Sequence, residues 1–238
     1  MNLFPFFYKD ESGSPSGFYY EVAELVFRDL GLAHKSTPMP IARVFREVSL
    51  GNQDMTVSYN MGDLVPDIEF FGSFGCQQIM LVPLKTAKMT SLKELKGKRV
   101  VFPMGGYFHK RFAKRTDFTA VAVNTTRSIF QLAARGRVDA VIFNNMALES
   151  YRKLGPERSE APREILKLFA TPIPIVPIEV SFSISKKSQV RHLMPQIEAY
   201  MKEAREQGRF AEIFKKYGEA TCGDCSAMQA RDTTFLGD

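Results

Sequence analysis

Three groups of side chains in this 238-residue chain have types and spacings that bear on chemistry. Cys222 and Cys225, in TCGDC, stand at Cys-x-x-Cys spacing, which serves a redox dithiol or half of a zinc site. A redox dithiol opens a helix in a βαβ setting, whereas this pair follows the last helical pattern. Zinc would need two more ligands, and His34, His109 and His192 show no matching spacing. With Cys76 the third cysteine, a structural disulfide or idle thiols are favoured. His109 follows a Gly-rich turn and reads as a surface histidine, since no carboxylate or cysteine can be placed beside it. The third group is two short polar rims, Ser58–Tyr59–Asn60 and Phe143–Asn144–Asn145. Hydroxyl and amide groups of this kind donate and accept hydrogen bonds but form no nucleophile–base pair, so they favour binding over catalysis.

The elements that carry those rims are written twice. Val44–Asn60 (VFREVSLGNQDMTVSYN) aligns without a gap on Ile129–Asn145 (IFQLAARGRVDAVIFNN). Each copy has helix-spaced apolar residues, a Gly, a short turn, an Asp and an apolar strand. Gly51 and Gly136 suit the left-handed residue that follows a helix. Asp54 and Asp139 suit a turn in which the carboxylate bonds nearby backbone donors. The repeat predicts two lobes of similar α/β design. Ligands in open α/β sheets sit beyond the carboxyl ends of strands, so the two rims should border one cleft.

Composition allows this. Hydrophobic residues make up 45% and charged residues 24%, as in a globular chain with a substantial core. The formal net charge of +6 is spread among interspersed acids, which argues for solubility and against a nucleic-acid partner. No apolar run is long enough to span a bilayer. Helical periodicity is expected through Val22, Leu25, Val26 and Leu30, after Pro40, after Thr125, over 144–154 and from Val190, with a possible kink at Pro195. Ser91 and Glu94 form a capping-box pattern ahead of SLKEL. Strands are expected at Met55–Ser58, RVVFP and Phe118–Val123, with extended crossings near Ile79–Leu84 and Ile173–Ser183. Alternating strands and helices predict mostly parallel sheets. The crossings place residues 83–176 as a second lobe inserted into a first lobe of 1–82 and 177–238, joined by a two-strand hinge.

The order PFFYKDESGSPSGF, LGLAHKSTPMPIARVF…LGNQD, SLKELKGKRVVFPMGG, ARGRVDAVIFNN, SFSISKKS and REQGRFAEIFKKYG resembles family 3 extracellular solute-binding proteins. These are the periplasmic binding proteins of polar amino-acid ABC importers. The resemblance runs from about Pro5 to Gly218. It implies a two-lobed, type II periplasmic-binding-protein-like fold closing on a small polar ligand. It also implies an ABC transporter permease as partner, a periplasmic or extracellular monomer, no cofactor, no metal and no catalysis. A stand-alone sensor, or an enzyme on the same fold, are the alternatives.

Residue by residue, the resemblance places Ile41 where a family side chain stacks on the ligand, and Ser58 and Tyr59 at first-lobe contacts. Gly105, Gly106, Tyr107 and Phe108 correspond to a loop that binds ligand through backbone and hydroxyl groups at a helix N-terminus. Asn60 completes the first rim, and Phe4 can wall the cleft as an aromatic surface. Asn144 stands where the family has the acid that pairs with a ligand amine, and GDLVPDIEF lacks the expected carboxylate-binding Arg. Both departures predict weak binding of ordinary α-amino acids, with Arg43 a substitute cation. The family also has a β-strand ahead of the Pro5 position, where this chain has Met1–Phe4. The expectation is a natural product extended by that strand and a secretory signal.

Overall fold

The computed structural model describes residues 4–104, 108, 116–153 and 163–217. β1 (Tyr8–Lys9) and β2 (Pro15–Ser16) form a small antiparallel ribbon. α1 (Phe18–Asp29), α2 (Ile41–Leu50) and β3 (Met55–Tyr59) follow. Next come β4 (Ile68–Pro83), β5 (Arg99–Pro103) and β6 (Thr119–Val123). Then α3 (Thr126–Ala134), β7 (Ala140–Asn144), α4 (Asn145–Lys153) and the one-turn α5 (Arg163–Leu166) lead to β8 (Ile173–Ser185). α6 (Met194–Glu206) and α7 (Ala211–Tyr217) close the described part.

Local chemistry explains these boundaries. α1 buries Phe18, Val22 and Val26, one residue per turn on a single stripe. Each such side chain contributes about 1.5–3 kcal/mol on burial. α3 starts at Thr125, whose hydroxyl accepts the Ser128 N–H at 3.1 Å. The SLKEL segment is a 3-10 turn over Leu92–Leu95, and Glu94 accepts the Ser91 N–H at 2.9 Å as the capping pattern predicts. Pro195 does not kink α6. It sits in that helix's first turn, where its missing N–H would have had no partner.

The main sheet has six strands in the order β3-β8-β4-β7-β5-β6. Its central pair, β4 and β8, runs antiparallel along most of its length, with ladder irregularities at Phe71/Ser73, Ser73/Gly75 and Ile79/Met80. The expected mostly parallel arrangement is therefore corrected. Only β5–β6 and β5–β7 are parallel, while β3–β8, β8–β4 and β4–β7 are antiparallel. The physical reason lies in the two crossing strands. A chain that crosses the sheet as β4 and returns as β8 runs in opposite directions on the two passes, and here both passes lie side by side at the sheet's centre.

Side chains alternate across this sheet with the strand period of two. Val101, Val141 and Phe143 enter one core, with α1, α3, α4 and α6. Val100, Phe102, Ala140 and Ile142 enter the other, with α2. The written repeat is a structural repeat: α2–Gly51–β3 and α3–Gly136–β7, with φ of 82° at Gly51 and 61° at Gly136. The aspartates, expected to serve their own turns, reach further. Asp54 accepts the Ser188 hydroxyl at 2.6 Å. Asp139 accepts the Arg99 backbone N–H at 2.7 Å, and Nε and Nη2 at 3.0 Å each. That contact lowers the Asp139 carboxyl below the usual carboxylate range, mainly through the Arg99 hydrogen bonds. Cys76 in β4 is disulfide-bonded. Cys222 and Cys225 lie outside the described residues.

Candidate functional site

Side chains at the ends of the two repeat strands meet, although β8 and β4 lie between those strands in the sheet. The Asn144 carboxamide, at the end of β7, donates to the Tyr59 hydroxyl at the end of β3. Its other donor goes to Gln77 Oε1 in β4 at 2.5 Å, and its oxygen accepts the Ala147 N–H at 2.7 Å. Asn144 is thus the N-cap of α4 and a tie between three strands. Asn145 Oδ1 accepts the Gln78 N–H at 3.1 Å and doubles the contact. Tyr19, from α1, hydrogen-bonds to Tyr59 on the other side. Burial raises both phenols well above their ordinary value, so both stay neutral.

This polar chain lies in the wall of a cavity of about 420 Å³. Phe4, Ile41, Ser58, Tyr59, Phe108 and Asn144 all line it. Phe4 stands with its ring centroid 5.1 Å from that of Tyr8 and 5.6 Å from that of Tyr151. Arg43 and Asn60 are placed elsewhere. The Arg43 side chain is exposed on α2, 3.7 Å from Glu47. Asn60 donates to Glu179 Oε2 at 3.0 Å and accepts the Gly62 N–H at 3.1 Å, tying the end of β3 to β8. Gly105, Gly106, Tyr107 and His109 lie outside the described residues.

Several wall residues were not legible beforehand. Tyr19, Thr126 and the exposed His34 also border the cavity. His34 Nε2 lies 2.6 Å from Glu24 Oε1, a histidine–carboxylate pair invisible in a spacing of ten residues. Gln77 carried no local signal either, because it reads as one polar residue in an apolar crossing strand. The charged residues at the cavity are Lys35 and Asp54, which like His34 are exposed. The inner wall is apolar, apart from hydroxyls and the Asn144 amide. Among the described residues no cluster of His, Cys, Asp and Glu is suited to a metal. The arrangement can hold and desolvate a ligand. Its inner wall supplies no charged acid or base.

No family model matches the sequence, and no curated protein matches it. Solved structures do match in shape. The substrate-binding protein of an ABC uptake transporter from Streptococcus pneumoniae, with bound histidine, superposes with a TM-score of 0.76 at 16% identity, covering 92% of this chain and 91% of that one. An ancestral amino-acid-binding protein, a precursor of cyclohexadienyl dehydratase, gives 0.73 at 16% identity and 91% coverage of both chains. A histidine kinase sensor domain similar to periplasmic binding proteins gives 0.73 at 16% identity and 90% coverage of both. The chain therefore has the two-lobed periplasmic-binding-protein-like fold, α/β with a central sheet. Similarity at this level establishes architecture, and function has to be argued from the site.

Proposed function

We propose that this protein binds a small solute between its lobes and delivers it to an ABC-type membrane transporter. The observation that carries the reading is the cavity itself, lined from both repeat strands and bridged by Tyr59 and Asn144. Its volume lies within the ~300–1,000 Å³ of small-molecule sites. We place lobe 1 at 1–82 with 177–238 and lobe 2 at 83–176, which puts the β4 and β8 crossings at the hinge. Ile41, Ser58, Tyr59 and Phe108 are the proposed wall contacts, with Phe4 behind them. Cys76's disulfide fits an oxidising compartment, in keeping with a periplasmic or extracellular location. Among the described residues no helix is long and apolar enough to cross a membrane.

A second reading is a ligand sensor, favoured by the likeness to a kinase sensor domain. Both readings need ligand binding, and neither needs chemistry. A thermal-shift screen with amino acids, polyamines, small acids, sugars and short peptides tests them together. A ligand that binds only the folded state stabilises it by about 2.7 kcal/mol at a hundredfold excess over Kd. A saturable rise in Tm with one class is expected, and a panel that leaves Tm unchanged sinks both readings.

A further inference from the structure

β5, β6 and β7 begin, and β4 finishes, at one end of the main sheet. Backbone hydrogen bonds knit the turns there: Leu84 N–H to Asp139 O at 2.9 Å, and Lys85 N–H to Leu168 O, Gly97 N–H to Asp117 O and Thr119 N–H to Lys98 O at 2.8 Å each. The fold gathers basic residues at this end. From Lys85 to Arg99 the sequence KTAKMTSLKELKGKR has six basic residues and one acid, Glu94. The turn after α3 brings Arg135 and Arg137 beside them, since Arg99 Nη2 donates to Gly136 O at 3.0 Å. Lys85, Lys88, Lys93, Lys96, Arg135 and Arg137 are exposed, and none is ion-paired among the described residues.

Nearby acids do not balance this charge. Among the described residues Glu94, Asp117 and Asp139 lie at this end; Glu94 is held by the Thr90 and Ser91 N–H groups, and Asp139 by Arg99. Like charges gathered on one surface repel one another, and an anionic partner relieves that repulsion. One apolar side chain stands among them: Leu168, 40% exposed, whose carbonyl is bonded to Lys85. The described aromatic residues here, Phe118 and Phe169, are buried or half-buried, so neither offers a ring for a nucleic-acid base to stack on. The other ends of β5 and β7 carry Pro103 and Asn144 at the cavity, ~13 Å along each five-residue strand. The basic surface is therefore separate from the proposed ligand site.

We propose that this end of the protein docks on the anionic surface of a phospholipid bilayer. Exposed lysines meet headgroup phosphates as flexible point charges, and Leu168 enters the headgroup boundary as the apolar contact. Each basic residue near such a surface strengthens binding about fivefold. Docking of this kind concentrates the protein where a transporter lies and leaves the cavity free. It goes beyond the solute-binding reading and does not depend on which solute is bound.

The test is co-sedimentation of the full chain with phosphatidylcholine vesicles containing a quarter phosphatidylglycerol, against vesicles of phosphatidylcholine alone. Binding is expected to the first only, and it should fall at least tenfold between about 50 mM and about 500 mM salt as screening tightens. A variant carrying Lys93→Gln, Lys96→Gln, Arg135→Gln and Arg137→Gln should bind at least tenfold more weakly with Tm unchanged. Should it fold poorly, Lys93→Gln with Lys96→Gln alone is measured, and a loss of about fivefold or more is expected. A control with Arg46→Gln, Lys186→Gln, Lys202→Gln and Lys215→Gln removes the same charge from exposed positions elsewhere and should keep its binding. Leu168→Ser should weaken vesicle binding about threefold. Equal losses in the two fourfold variants would overturn the proposal, since net charge alone would then explain binding. Full binding by Leu168→Ser, with polyglutamate displacing the vesicles, would overturn it in favour of an acidic protein partner. A parent that ignores anionic vesicles at low salt also overturns it. The solute-binding reading stands or falls separately, with the thermal-shift panel.

Discussion

Asn144 and Tyr59, 85 residues apart in sequence, close the ends of the two repeat strands onto each other through one amide–hydroxyl hydrogen bond. The bond spends both Asn144 donors inside the protein, since the second goes to Gln77. This position therefore serves as a structural tie and a helix cap.

Asn144→Asp tests that role. A carboxylate cannot donate to Tyr59 or Gln77, and burial pushes its pKa up. A group whose folded pKa is raised gives full stability only below its unfolded pKa, about 3.9 for Asp. The variant's deficit should be small near pH 3–4, grow with rising pH and level off above the raised folded pKa. Tm measured across pH checks this, and a variant as stable as the parent at pH 7 would contradict it.

Asp139→Asn should destabilise the protein. The carboxylate takes three hydrogen bonds from Arg99, two of them charge-assisted. Because Arg99 is partly exposed, solvent screening limits the loss to about 1–2 kcal/mol at pH 7. Asp139's pKa is lowered in the folded state. Its contribution is thus complete above the unfolded pKa and is lost as pH falls through the folded one. Urea titrations at pH 7 and pH 2.5 should show the gap between parent and variant closing in acid.

Arg43→Ala should change little. The guanidinium is exposed, and its partner is Glu47 at 3.7 Å across one helical turn. Stability should move by no more than about 0.5 kcal/mol, and affinity for any ligand the screen identifies should stay the same. A tenfold loss of affinity by calorimetry would restore Arg43 as the ligand's cation.

Cys76→Ser should lower stability by about 2–4 kcal/mol, a typical disulfide contribution. Reductant should lower the parent's Tm to about that of the variant and leave the variant's unchanged. A parent insensitive to reductant would remove the disulfide's support for an oxidising compartment.

The local elements of this protein were legible in its sequence because short-range physics sets them. Gly51 and Gly136 took the left-handed backbone their helix ends need. Thr125 and Ser91 capped where hydroxyls suit free N–H groups, and the repeat reads directly as helix–Gly–strand twice. Strand direction was not legible, because an apolar run carries no mark of its neighbour. Only the packed sheet decided that β4 and β8 lie together antiparallel and leave β3 at an edge. The same holds for side chains. That the Asn144 amide meets Tyr59 and Gln77 in the cavity wall, and that Arg43 stands exposed on α2 beside Glu47, was decided only by the packing of distant segments. Helix, turn and cap depend on residues within a few positions of each other. Which polar groups are met, and which strands pair, depends on segments more than a hundred residues apart, as with β3 and β8.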